Sequence, residues 1–199
     1  MQNTNNEIIK YIKRNRHGKI FFADEFRKFG NNDAVRQALS RLCRKNFLIR
    51  LSAGIYLYPK FDNLVGIVYP SIETIAKTIA KREKTRLIPT GAYALNALGL
   101  STQVPANFVF LTDGSPRRIK IGPRKGILFK HTAPKNLAFK SDLAMLITFA
   151  LKEIKKDRVT SEHLDRLKYI LKEVPKEEIL QDIKLIPSWI KDLILNLYE

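Results

Sequence analysis

The chain has 199 residues, 45% of them hydrophobic, and its 36 Lys and Arg against 19 Asp and Glu give a net charge of +17. That length and apolar content suit one larger or two small globular domains, and no apolar run approaches the roughly 20 residues that span a bilayer. A single cysteine, Cys43, excludes an internal disulfide framework, and His17, His131 and His163 form no metal-ligand spacing with it, so neither metal nor cofactor is expected. The polar opening MQNTNNEIIK lacks the apolar core of a signal peptide, which makes the cytoplasm the expected location.

In chain order, Asn3 or Thr4 can cap a first helix running to about Asn15, with Ile8, Ile9 and Ile12 inward and Gly18 as its stop. Lys19 to Phe22 is a short β-prone run able to pair with a later hairpin. Asp24 to Phe29 reads as a short amphipathic helix with Phe26 and Phe29 inward, and Gly30-Asn31 suits a left-handed inter-helix turn. The next helix starts after Asn32 or Asp33, whose side chains can accept from free backbone amides. Its Val35, Ala38, Leu39 and Leu42 share one face, with Cys43 read as a small core residue. The opposite face carries Arg36, Gln37, Ser40, Arg41 and Arg44. Phe47, Ile49 and Leu51 alternate with Leu48 and Arg50. Ser52-Ala53-Gly54 then turns the chain into Ile55 to Tyr58, a hairpin placed as a wing. Two helices, a strand–turn–strand and a basic helix face spell a winged helix-turn-helix over residues 1–60.

Residues 60–70, KFDNLVGIVYP, read as an apolar connector expected to lie against a domain. Ser71 to Arg82 is a helix with Ile72, Ile75, Ala76 and Ile79 inward, and Ala92 to Leu98 a shorter one stopped by Gly99. Three β-prone runs, Asn107 to Thr112, Arg117 to Ile121 and Gly126 to His131, are separated by DGSP and Gly-Pro turns and suggest a small antiparallel sheet. From Ser141 onward, apolar residues at helical spacing predict two or more closing helices. The fold class is therefore α+β: a winged helix-turn-helix, then residues 61–199 as an α+β domain. That domain comprises mixed helices and a basic sheet over 61–140 and a helical tail over 141–199.

The charge is uneven. Residues 1–60 hold 13 Lys and Arg against 4 acids, residues 61–140 again 13 against 4, and residues 141–199 hold 10 against 11. A polyanion is the natural partner of the first two stretches, because neutralised phosphates release condensed counterions. Arg and Gln on one helix face are the residue types that read base edges in a major groove; an ordinary solvated helix face is the competing account. Arg117, Arg118, Lys120, Arg124, Lys125 and Lys130 outline a second basic surface, against the alternative of charged sheet edges. No helix is both strongly basic and Trp- or Phe-rich, so a membrane is not expected as partner.

Catalysis finds no support in spacing, and the chain is read as a non-enzyme. Asp113 in DGSP has no acidic neighbour before Asp142 and reads as a turn former. Gly122-Pro-Arg-Lys-Gly126 lacks the Lys-Ser or Lys-Thr pair and following helix of a phosphate loop. Ser71, Ser101 and Ser161 lie outside any nucleophile-elbow context.

The blocks AVRQALSRLCRKNFLIRLSAGIYLYPK at 34–60, PTGAYALNALGLSTQVP at 89–105 and FVFLTDGSPRRIKIG at 108–122 resemble the AbiEi-type antitoxins of abortive-infection and type IV toxin-antitoxin systems. The resemblance covers most of residues 5–135. It implies an N-terminal winged helix binding inverted repeats in the operon's promoter as an autorepressor, with a second domain that aids repression and counteracts a nucleotidyltransferase-type toxin. It further implies Arg36, Gln37, Ser40, Arg41 and Arg44 at the recognition helix and Arg50 and Ser52 at the wing. The mechanism expected from this layout is autoregulation with two copies on symmetric half-sites, a dimer on double-stranded DNA. The rival from another class is a non-catalytic RNA- or protein-binding winged-helix module.

Overall fold

A computed structural model gives the structure and describes residues 2–103, 105, 107–123 and 125–199, with side chains from residue 4 onward. The protein is mixed α and β, with small sheets and closing helices. The chain divides into two compact units, 1–79 with 119–123 and 80–118 with 124–199. The sequence division at residue 60 differs from this one by a hairpin over 60–68, most of the helix that follows it, and the short stretch 119–123.

In the first unit, helix α1 (Gln2–Lys13), strand β1 (Ile20–Phe22), a 3-10 helix (Ala23–Phe29), helix α2 (Asn32–Arg44) and strands β2 (Ile49–Ser52) and β3 (Ile55–Leu57) follow in order. β3 lies between β1 and β2, antiparallel to both, so the run from Lys19 does pair with the hairpin. This arrangement is compatible with the winged helix-turn-helix expected from the sequence. Ile8 and Ile12 of α1, Phe21, Phe26, and Val35, Ala38, Leu39 and Leu42 of α2 pack into one core with Leu48, Tyr56 and Tyr58. Each fully buried Leu, Ile or Phe there contributes about 1.5–3 kcal/mol. Tyr11 sits edge-on to both Phe21 and Phe26 at 6.0 Å, a preferred aromatic geometry.

Local details differ from expectation in three places. The 23–29 segment winds as a 3-10 helix, not an α-helix. It is a seven-residue connector pinned at its start by the Phe22 amide donating to Glu25 Oε1 at 2.7 Å, and it plants Phe26 fully inside the core. Gly30 is extended, at φ 163° and ψ 178°, and not left-handed. What it supplies is space, since a Cβ there would sit 2.9 Å from Thr4 Oγ1. Asn31, one residue before the expected caps, accepts from the Ala34 amide at 2.8 Å. That choice leaves Asp33 in the first turn, where a negative charge suits the helix dipole. Asn46, at φ 55°, closes α2.

The 60–70 connector also departs from its reading. It forms a two-stranded hairpin, β4 (Lys60–Asp62) with β5 (Gly66–Val68), and leaves Phe61, Leu64, Val65 and Ile67 exposed to solvent. Helix α3 (Ile72–Glu83) follows, capped by Ser71 Oγ accepting from the Thr74 amide, and the division between units falls within it.

Strand β6 (Leu87–Thr90), helix α4 (Ala92–Ala97), and strands β7 (Asn107–Thr112) and β9 (Lys125–His131) belong to the second unit, strand β8 (Arg117–Ile121) is divided between the units after Arg118, and the sheet order is β6-β7-β9-β8. β6 is an added strand, antiparallel to β7, and β7 runs parallel to β9, so the sheet is mixed. β8 intervenes in sequence yet lies at the edge, which is what sets its two neighbours in sequence side by side. Helices α5 (Asp142–Ile154), α6 (Ser161–Leu171), α7 (Lys176–Leu180) and α8 (Ser188–Asn196) close the chain. α5 is apolar nearly all round and forms the centre of this core, packed on α4 and β6. The tail is anchored by Asp182, 2% exposed, whose carboxylate accepts from the Lys140 and Ser141 amides at 2.8–3.0 Å at the start of α5.

Candidate nucleic-acid interface

The helical period fixes what α2 shows to solvent. With Val35, Ala38, Leu39 and Leu42 buried, Arg36, Gln37, Ser40, Arg41 and Arg44 are all exposed. Arg36, Ser40 and Arg44 recur at four-residue spacing along one ridge, with Gln37 and Arg41 on the adjacent ridge.

The hairpin supplies the other wall. Arg50 of β2 and Tyr56 of β3 are cross-strand partners, with a register shift between Arg50 and Ser52. Arg36, Gln37, Ser40, Cys43 and Arg44 of α2 join Arg50 and Tyr56 around one surface hollow of about 580 Å³. Five of the seven site residues drawn from the sequence thus line one place. Arg41 and Ser52 are not part of that lining: the Arg41 guanidinium donates to Gln37 Oε1 at 3.4 Å, and Ser52 sits half-buried near the hairpin turn opposite Ile55. Cys43 and Tyr56 are the lining residues that sequence reading did not assign to the site. Counting the strand pairing back from Ala53-Gly54 sets Arg50 opposite Leu57, and only the register shift between Arg50 and Ser52 brings Tyr56 there, so no sequence signal names Tyr56; Cys43 follows from its place one turn beyond Ser40.

The guanidinium groups are held loosely. Arg36 pairs with Asp33 at 3.1 Å, but the two side chains are 80% and 78% exposed, so the bond is weak and readily exchanged for another anion. Arg44 and Arg50 make no hydrogen bond or ion pair among the described residues. Burial pushes the Cys43 thiol and the Tyr56 phenol up from their ordinary values, with Arg50 pulling each partly back. Both therefore stay protonated at neutral pH, and Tyr56 presents a neutral hydroxyl beside a fixed positive charge. Three arginines, a glutamine, a serine and a tyrosine around this hollow can donate to phosphate oxygens and to purine edges.

The second basic group is dispersed. Along β8, Arg117, Ile119 and Ile121 take one side and Arg118 and Lys120 the other, exposed one. Arg117 is not available to a ligand: its guanidinium forks onto Glu83 at 2.6 and 2.9 Å, with the pair roughly three-quarters buried. Arg118 donates to Asn107 Oδ1 at 3.1 Å, and Lys120 and Lys125 are exposed. Arg124 lies outside the described residues. Asp113 accepts from the Arg86 amide at 2.9 Å and shapes its turn. Among the described residues no three His, Cys, Asp or Glu side chains gather as a metal site, and no helix is long and apolar enough to cross a membrane.

A basic α+β protein with one arginine-lined hollow is thus the class that the fold and site define. The chain belongs to DUF6088, a family of unknown function, whose profile matches residues 7–179. The match begins within α1 and ends within α7. No curated protein matches the chain.

Proposed function

We propose that this protein binds duplex DNA through α2 and the β2–β3 hairpin, and that it acts as the antitoxin and transcriptional autorepressor of a type IV toxin-antitoxin operon. The observation that carries the DNA reading is the convergence of Arg36, Gln37, Ser40 and Arg44 with Arg50 and Tyr56 on one hollow, their charges loosely paired or unpaired. In this reading α2 enters the major groove, the hairpin contacts the flanking backbone, and two copies occupy inverted half-sites. The resemblance to AbiEi-type antitoxins supports the second half of the proposal, that the protein counteracts a nucleotidyltransferase-type toxin.

The test is a binding titration of the full chain against its own upstream DNA and a scrambled duplex at about 150 mM salt, where nonspecific attraction is damped. A preference of roughly a thousandfold is expected. Equal, weak binding to both overturns the repressor reading and moves an RNA or protein partner to the front. Arg41→Ala refines the result. It is expected to cost about 1–3 kcal/mol on the cognate site alone if Arg41 reads a base, and to weaken all sequences equally if it holds a phosphate. Toxin antagonism is tested separately, by whether co-expression restores growth of cells carrying a nucleotidyltransferase-type toxin.

A further inference from the structure

The β4–β5 hairpin is the one part of the first unit whose apolar side chains ignore the core. Four of the six large hydrophobic residues left exposed among the described residues lie on it: Phe61 at 58%, Leu64 at 95%, Val65 at 74% and Ile67 at 36%. Phe61 and Ile67 are cross-strand partners on one face, and Leu64 and Val65 form the tip. The sheet has only these two strands, so an edge of each is unpaired. A lone hairpin of this kind is marginally stable in water, and an uncovered apolar edge is a template for another strand. A contiguous exposed apolar patch marks an interaction surface.

The sequence of β4 selects the occupant. Its three residues are Lys60, Phe61 and Asp62, a base and an acid flanking an exposed aromatic ring. Antiparallel pairing of this strand with itself about a two-fold axis at Phe61 sets residue 60 of each copy opposite residue 62 of the other. The result is two Lys–Asp pairs on one face and two stacked Phe61 rings with Ile67 beside them on the other. Asp62 is held ready for this role: its Oδ1 accepts from the Leu64 and Val65 amides at 2.9 and 3.2 Å, which keeps the carboxyl ionised below its ordinary range. A polyanion is disfavoured here, because the hairpin carries one base against one acid and lacks the arginines of α2. We propose that the β4–β5 hairpin joins two copies of this chain, β4 against β4 about Phe61, into a symmetric dimer with a four-stranded ribbon. The pairing stands whether or not α2 binds DNA.

The test is sedimentation velocity on the full chain without nucleic acid, from roughly 1 to roughly 100 µM, the range in which moderate pairings appear. A concentration-dependent dimer is expected. Lys60→Glu converts both charge pairs to repulsions and is expected to weaken it about tenfold or more, and Phe61→Ser to weaken it at least as much. Both side chains lie outside the two cores, and circular dichroism of the variants is expected to match the parent. Added salt is expected to narrow the gap between the parent and Lys60→Glu dimers, because screening relieves attraction at the pairs in one and repulsion in the other while the repulsion between the two basic copies is screened alike in both. A chain that stays monomeric throughout overturns the proposal, and so does a dimer that tolerates either substitution.

Discussion

Arginine does opposite work in the two units. On α2 and β2, Arg36, Arg44 and Arg50 are exposed and either unpaired or held by one weak surface contact. In the second unit, Arg117 is forked onto Glu83, Arg86 donates to the Leu137 carbonyl at 3.0 Å, and the Arg166 Nε donates to the Leu98 carbonyl at 2.9 Å beside Gly99. Those three stitch elements distant in sequence, so their donors are spent on the fold. The +17 charge is therefore no measure of ligand surface by itself; what separates binding arginines from structural ones is whether a carboxylate or a carbonyl already occupies the guanidinium.

The largest expected effect comes from removing the unpaired pair. Arg44→Ala with Arg50→Ala is expected to weaken binding to upstream DNA about a hundredfold and to flatten the salt dependence, while the urea midpoint stays where it was. Loss of stability instead would place these arginines with those of the second unit.

Arg117→Ala is expected to behave in the opposite way. It leaves the Glu83 carboxylate partly buried without its partner, at a cost of about 1–3 kcal/mol in unfolding free energy after allowance for solvent screening. DNA affinity is expected to change by no more than about twofold. A urea titration and a binding titration on the same sample decide the matter, and a reversed pattern would break the contrast between the units.

Gly30→Ala probes the packing behind the binding helix. Its Cβ would press on Thr4 Oγ1 and Cγ2 at 2.9 and 3.1 Å, and because the backbone there is extended no conformational penalty is added. Rotation of Thr4 relieves most of the clash, so a loss of about 1 kcal/mol in stability is expected. The double variant with Thr4→Ala is expected to recover it.

The parts of this molecule that sequence made legible are those governed by local period and local turns. Val35, Ala38, Leu39 and Leu42 recur at helical spacing, and the buried face of α2 follows directly. Ala53-Gly54, with Gly54 at φ 72°, turns β2 back into β3. Non-local partners were not legible. Nothing near Arg117 in sequence names Glu83, 34 residues earlier, so a paired arginine reads like a free one. The parallel pairing of β7 with β9 depends on β8 moving to the edge, a choice of partner that alternation cannot express. The 60–70 segment misleads for a different reason: apolar content implies burial only when a surface is there to cover it, and Phe61, Leu64 and Val65 have none among the described residues.

The smallest effect expected is chemical. Cys43 lines the hollow, and burial raises its thiol, so at pH 7 the thiolate that an alkylating reagent needs is scarce. Alkylation is expected to be slow at neutral pH and to rise only at pH values above those at which an exposed thiol already reacts. Arg50 is the charge that partly offsets the burial, so Arg50→Ala is expected to push the profile still higher and slow the reaction further. Cognate DNA, lying over Arg36, Arg44 and Arg50, is expected to protect the thiol, whereas an oligonucleotide held elsewhere would leave the rate unchanged. A Cys43 that alkylates as fast as a free thiol and ignores bound DNA would remove the hollow from the interface, even if the arginines around it proved essential.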